Sequence, residues 1–257
     1  MQEEFVGRAL PPDLEDSLPS NLPDLFDQVR AGVKRAAEIY IGLCMLLERL
    51  AKRNEAMAAD NLKFSMALQG LTEGHADIYA VDTNDVPLLN SGINATAKHL
   101  ASAQTLLEDE ARAWDAGAVE DFKKIRDAMV SMRDLFDRRD RLARDNIAQL
   151  ERRIQNTENK LIALRQKAQT GQVKAGEMEK LESSIMADKE GIVQQHARGV
   201  LLKECIRDEI VTFQSTIYVT SHVHQDWAAE RVKYAELQAS NWRRLVEEVD
   251  SMPTGEP

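Results

Sequence analysis

Proline is missing from this chain between about residues 90 and 250. A proline inside a helix costs roughly 3 kcal/mol, so its absence over such a span permits very long helices. Four of the seven prolines, Pro11, Pro12, Pro19 and Pro23, stand near the start. Aromatic residues make up only 5% of the 257 residues, while charged residues make up 30%, a balance typical of long helices and coiled coils. With two cysteines, Cys44 and Cys205, set among Leu, Met and Ile, the sequence gives no disulfide framework; both read as buried thiols in a reducing compartment. No apolar run approaches the ~18 residues of a membrane span, and no basic-then-apolar leader opens the chain. The formal net charge of −10 argues against wholesale nucleic-acid binding.

Catalytic and metal patterns are lacking too. His222 and His224 are two apart, on nearly opposite sides of a helix, and cannot share a metal. There is no Glu-x-x-His pair for a di-iron bundle, and Gly171 and Gly176 are not followed by the Lys-Ser/Thr of a phosphate loop. The expectation is a protein that is not an enzyme, with no cofactor and no metal.

Heptads are what the sequence does have. Residues 1–21 are acidic, proline-rich and without helical periodicity, and read as a linker. From Leu25 a seam of 3–4 spacing runs through Val29, Gly32, Ala36, Ile39, Leu43, Leu46 and Leu50, then Met57, Phe64, Ala67 and Leu71. It predicts a first helix over about 22–72, ending near Gly74. A short connection over 75–85 precedes Pro87, which opens a second helix over about 86–169, with Gly117 its weakest point. A Gly-bracketed reversal over 170–176 leads to a third helix over about 177–249, with bends expected at Gly191 and Gly199 and a disordered tail over 253–257. The helical domain thus spans 22–252. Short connections between long helices require antiparallel packing, which makes the expected fold class all-α: three long antiparallel helices. Apolar residues cover more than one stripe of the first helix, so a second copy is expected to cover them, giving an elongated coiled-coil homodimer. Candidate dimer-interface residues are Leu43, Leu46, Leu47, Leu50, Trp114, Phe122, Trp227 and Trp242.

Charge is segregated. Residues 121–170 hold thirteen Lys and Arg against eight Asp and Glu, a local excess of five positive charges in an acidic chain. Candidate contacts to an acidic membrane are Lys123, Lys124, Arg126, Arg133, Arg138, Arg139, Arg152, Arg153, Arg165, Lys167 and Lys174. Each basic residue near an anionic leaflet contributes about 1 kcal/mol. Against this, Asp134–Arg138, Asp137–Arg141 and Asp140–Arg144 have the spacing of i,i+4 pairs that only solubilise a helix face. Nucleic acid would call for interleaved aromatics, which are absent.

The stretch DFKKIRDAMVSMRDLFDRRDRLARDNIAQLERRIQNTENKLIAL (121–164), preceded by EDEARAWDAG (108–117), resembles the second helix of the BAR domain in endosomal sorting nexins. DEIVTFQSTIYVTSHVHQDWAAERVKYAELQASNWRRLVEEV (208–249) is similar to their third helix, and within the family the chain looks most like the fungal Mvp and sorting nexin eight branch. The resemblance implies a curved BAR-type dimer whose basic face and helix 2–3 tip meet acidic phospholipid. It also implies a peripheral, cytoplasmic place on endosomal membranes, in retrograde sorting and tubulation, with further self-assembly possible in principle. Such proteins carry a phosphoinositide-binding PX domain; none is seen in this chain, so that specificity is expected from outside it. The alternative is an elongated coiled-coil scaffold or tether that touches no membrane.

Overall fold

The computed structural model describes residues 9–79, 85–168 and 176–254. Every regular element among them is helical. In chain order these are α1 (Leu14–Ser17), α2 (Leu22–Ile78), α3 (Asp85–Trp114), a single π-helical turn (Asp115–Val119), α4 (Glu120–Leu142), α5 (Ile147–Ala168), α6 (Glu177–Gln214) and α7 (Thr216–Val249).

Several limits differ from those read in the sequence. The expected linker contains α1, whose Glu15 meets His196 at 2.9 Å and whose following Leu18 packs against Leu22 and Phe26. Gly74 does not end α2. His75 is buried one residue later and hydrogen-bonds Asn90, which holds the extra turn in place. The expected second helix is interrupted over 143–146. There Asp145 and Asn146 supply the cap-forming residues of α5: Asn146 O accepts from the backbone N–H groups of Gln149 and Leu150, and Gln195 Oε1 accepts from Asn146 N at 2.9 Å. Gly117 does mark irregular helix, since the π turn is built around it. Neither Gly191 nor Gly199 interrupts α6; the break comes at Ser215, whose hydroxyl bonds Thr212 O at 2.6 Å instead of leaving the backbone undisturbed. Residues 170–175 of the expected reversal lie outside the described residues, as do 169 of the expected second helix, 80–84 of the first connection and 255–257 of the tail.

The chain divides into two units. One comprises Met1–Lys34 and Val130–Ser215. Its larger core joins Leu22, Phe26 and Val33 of α2, Met132 and Phe136 of α4, and Ile206 and Ile210 of α6. The Phe26 and Phe136 rings lie 6.4 Å apart and tilted, a favoured aromatic arrangement. A second, smaller core joins Ile154 and Leu161 of α5 to Ile185 of α6. Partners run in opposite directions: Asn146 meets Gln195, Arg153 meets Asp188 and Arg165 meets Glu182, so α5 and α6 form an antiparallel hairpin.

The other unit comprises Arg35–Met129 and Thr216–Pro257. It too is antiparallel: Ser65 Oγ donates to Ala97 O (2.7 Å) and Thr72 lies against Asn94 across α2 and α3, while His99 meets Asn241 and Glu110 meets Arg231 across α3 and α7. Its core includes Cys44, Leu47, Ala51, Trp114, Val119, Phe122, Ile125 and Val223. At Gly92, α3 packs closely on the Met252 side chain: an added Cβ would fall 2.3 Å from it, and the methionine would have to move.

Candidate functional site

The first helix carries two apolar stripes, one residue out of step. In α2 the inward stripe is Ala37, Cys44, Leu47, Ala51, Ala58 and Ser65, all buried. The heptad seam read in the sequence divides: Leu25, Val29 and Leu43 pack against the cores, and the rest forms the other stripe. Ile39, Leu46, Leu50, Met57, Phe64 and Leu71 stay exposed, Met57 at 50% and Phe64 at 56%. On α7, Val232, Trp242 and Val246 are exposed as well. Along α2 the inward stripe beyond Leu47 is thus small, while several large apolar side chains stay on the outer face.

The candidate dimer residues separate accordingly. Leu47, Trp114 and Phe122 are enclosed in this chain's own core, and Leu43 packs against it, so they are not free to meet a second copy. Trp227 is half-buried, with no hydrogen-bond partner for its indole N–H. Leu46, Leu50 and Trp242 remain on the outside, the last resting on His99 with ring centroids 4.0 Å apart. Beneath it His99 and Asn241 bond each other reciprocally: Asn241 Nδ2 donates to His99 O (3.1 Å) and His99 Nδ1 to Asn241 O (3.2 Å).

The basic residues separate as well. In the unit containing Arg35–Met129, Lys123 sits between Glu120 (2.9 Å) and Glu48 (3.1 Å). Its hydrogen bonds to those carboxylates, Glu120 first, push its ammonium above the ordinary range. Lys124 is raised likewise by Asp121, at 2.7 Å. Arg126 is paired with Asp127 (2.8 Å).

In the other unit, Arg133 pairs with Asp134, Arg165 with Glu182 and Arg139 more loosely with Asp27 at 3.9 Å, while lying 5.2 Å over the Phe26 ring. Arg153 grips Asp188 with two nitrogens, a bidentate pair that holds the buried Asp188 carboxyl below its ordinary range. The expected i,i+4 pairs do not form. Asp134 turns to its neighbour Arg133, Asp140 to Arg30 of α2 at 2.5 Å, and Arg144 to the Asp140 carbonyl. Only Asp140 finds its partner on another helix; the other two bond within their own stretch of chain.

What remains is a smaller set. Among the described residues, Arg138, Arg141, Arg152 and Lys160 are exposed and make no ion pair. Arg138 and Arg141 are three apart on α4; Arg152 and Lys160 stand eight apart, two turns along one side of α5. Lys167 is exposed near the end of α5, and Lys174 lies outside the described residues. Arg198, passed over in the sequence, donates to Leu142 O at 2.9 Å and closes the C-terminus of α4. Its only sequence signal was a basic residue on the helix facing the break. Cys44 is buried, and burial raises its thiol pKa; Cys205, expected to be buried, is exposed because α6 turns it outward, away from the Ile206–Ile210 stripe.

Residues 1–256 match the family described as the Sorting nexin 8/Mvp1 BAR domain. The chain belongs to this family. It is 68% identical over 253 residues to Sorting nexin mvp1 of Aspergillus oryzae, covering 98% of this chain and 35% of that protein. With Sorting nexin MVP1 of Saccharomyces cerevisiae the identity is 25% over 251 residues, covering 97% of this chain and 48% of that protein. The chain therefore spans about a third of the length of its more similar curated relatives, whose sequences align over 32–35% of their lengths. A solved structure described as the SNX-BAR Mvp1 tetramer shares the fold, with a TM-score of 0.75 at 23% identity, over 96% of this chain and 63% of that one. The all-α, BAR-type fold read from the sequence is the fold observed. Among the described residues no helix is long and apolar enough to cross a membrane.

Proposed function

We propose that this chain is a homodimeric membrane-curvature module that works peripherally on endosomal membranes, in retrograde sorting and tubulation. The observation that carries the reading is the exposed heptad seam of α2. Large aliphatic and aromatic side chains at 3–4 spacing, left uncovered by the chain's own helices, suit a second copy of the same surface. Membership of the BAR family of sorting nexins supports the membrane role. So does the surplus of positive charge on α4 and α5, concentrated in Arg138, Arg141, Arg152 and Lys160. Further association of dimers is part of the proposal, since the related Mvp1 structure is a tetramer.

The test is co-sedimentation with phosphatidylserine vesicles of graded diameter, alongside mass by light scattering. A dimer that binds, and releases when Arg138, Arg141, Arg152 and Lys160 are changed to Glu, is the expected result. Reversing the paired Lys123, Lys124, Arg133 and Arg139 instead is expected to weaken binding less. A second reading has one observation in its favour: seven of the basic residues named from the sequence are already paired with carboxylates. That suits a scaffold or tether touching no membrane. A dimer that ignores acidic vesicles at every salt concentration would establish it.

A further inference from the structure

The interruption between α4 and α5 opens a groove of about 430 Å³ against α6, within the range of ~300–1,000 Å³ common to small-molecule sites. All its lining residues lie in the unit that holds Val130–Ser215. Three are arginines, Arg138, Arg139 and Arg198, and one is a carboxylate, Glu209. Four are large and aliphatic: Leu135, Leu142, Leu202 and Ile206. Two of the arginines have structural duties. Arg139 lies over Phe26 near Asp27, and Arg198 gives one N–H to Leu142 O. Arg138 has no ion-pair partner among the described residues. The exposed C-terminal carbonyls of α4 contribute about half a negative charge, and Arg198 already answers one of them. Against Glu209, Asp27 and that helix end, the three guanidiniums leave the groove positive.

We infer that this groove binds a single anionic amphiphile, with its phosphate on Arg138 and Arg198 and its aliphatic chain along Leu135, Leu142, Leu202 and Ile206. Guanidinium is the side chain suited to bidentate contact with a phosphate. Branched aliphatic side chains beside it suit a hydrocarbon chain and give no aromatic platform for a base or sugar. Apart from the end of α4, the walls are helical backbone already hydrogen-bonded, so an extended peptide would find few main-chain partners here. The site is separate from the exposed arginine and lysine set of the proposed membrane contact, sharing only Arg138, and a soluble ligand can occupy it without any vesicle.

Cys205 lines the groove and is exposed, whereas Cys44 is buried with a raised thiol pKa and reacts slowly. The rate of maleimide alkylation at Cys205 therefore reports occupancy. Monomeric oleoyl lysophosphatidic acid, below its micelle concentration, is expected to slow alkylation at least tenfold. Inorganic phosphate and the zwitterionic lysophosphatidylcholine are expected to leave the rate nearly unchanged. Arg138→Glu, at an exposed position that leaves the fold intact by circular dichroism, is expected to weaken protection by about ten- to a hundredfold. Glu209→Gln is expected to strengthen it a few-fold.

A parallel arm uses phosphatidylcholine vesicles carrying phosphatidic acid, and shows whether a bilayer lipid also reaches the groove. No protection by the monomer, equal protection by the zwitterion, or protection untouched by Arg138→Glu would each overturn the inference. So would protection seen on vesicles alone, since a bilayer covering the face would produce it without a groove. Protection by an acidic leucine-rich peptide in place of the lipid would assign the groove to a protein partner. Loss of vesicle binding with monomer protection intact would sink the membrane proposal and leave this one standing.

Discussion

The two units solve the same packing problem in opposite ways. Around Phe136 the large side chains point in: Leu22, Phe26, Met132, Ile206 and Ile210 fill the space between three helices. Around Asn241 the inward positions of α2 are small or polar, with Ala51, Ala58 and Ser65 buried, and those of α3 set Ala97, Ala103 and Ala111 between Leu100 and Leu107, while Met57, Phe64 and Trp242 point out. A helix bundle that closes on alanine brings its backbones together but buries little apolar area per residue. The difference lies in α2: in one unit its large side chains Leu22 and Phe26 are spent on the chain's own core, and in the other Met57 and Phe64 are left outside it.

That contrast can be broken most sharply at Phe136. Phe136→Ala empties a fully buried site and is expected to cost about 3–5 kcal/mol, read as a lower midpoint in urea. Phe64→Ala, at an exposed site, is expected to leave the denaturation of a monomer almost unchanged. The combination Leu46→Glu with Phe64→Glu is expected instead to halve the mass measured by light scattering, with helicity retained. A dimer of undiminished mass would move the self-association face off α2.

Asn241→Ala removes the Nδ2 bond to His99 O, while the bond from His99 Nδ1 to the main-chain carbonyl of residue 241 stays, and is expected to cost about 1–3 kcal/mol, because the buried His99 carbonyl loses its partner. A smaller effect is expected in acid. The Asp188 carboxyl is held below its usual range in the folded chain by Arg153, so its contribution is complete above the ordinary carboxylate pKa near 3.8. It is lost as pH falls through the lowered folded value. Asp188→Asn is therefore expected to flatten the acid limb of the stability profile, followed by fluorescence or circular dichroism between pH 2 and 6, and to leave its neutral limb level. The smallest change is expected at Arg152, where Ala should alter stability by less than about 0.5 kcal/mol.

Much of this architecture could be read in the sequence because proline is confined to its edges and the heptads are long. The all-α class and the antiparallel packing followed from those features, and Gly117 marked the irregular turn. Which face of α2 turns inward did not. Apolar residues stand side by side at Leu46 and Leu47, at Leu50 and Ala51, and at Met57 and Ala58, and a period of 3.5 fits either member of each pair. The break at 143–146 hid for another reason. Asp145 and Asn146 are good cap residues, but no glycine or proline announces them, and the apolar spacing resumes at Ile147. Charge was misread through its partners. Arg133 takes its neighbour Asp134, Arg153 reaches 35 residues to Asp188, and neither choice is visible in an i,i+4 count. Arg198, which closes α4 and lines the groove, had no pattern of its own.

The π turn at Asp115–Val119 has a consequence for length. Eight residues separate the inward Trp114 from the inward Phe122, one more than the seven that make two near-complete turns. The widened turn absorbs the eighth residue, so Ala118 and Val119 are both buried side by side. A chain shortened by one residue between Asp115 and Val119 would keep both faces aligned on an ordinary α-helix. The same deletion ten residues away would rotate everything beyond it by about 100°. Insertions and deletions in the second helix are thus expected to survive at this turn and to be lost elsewhere along it, a pattern that a library of single-codon deletions would display directly.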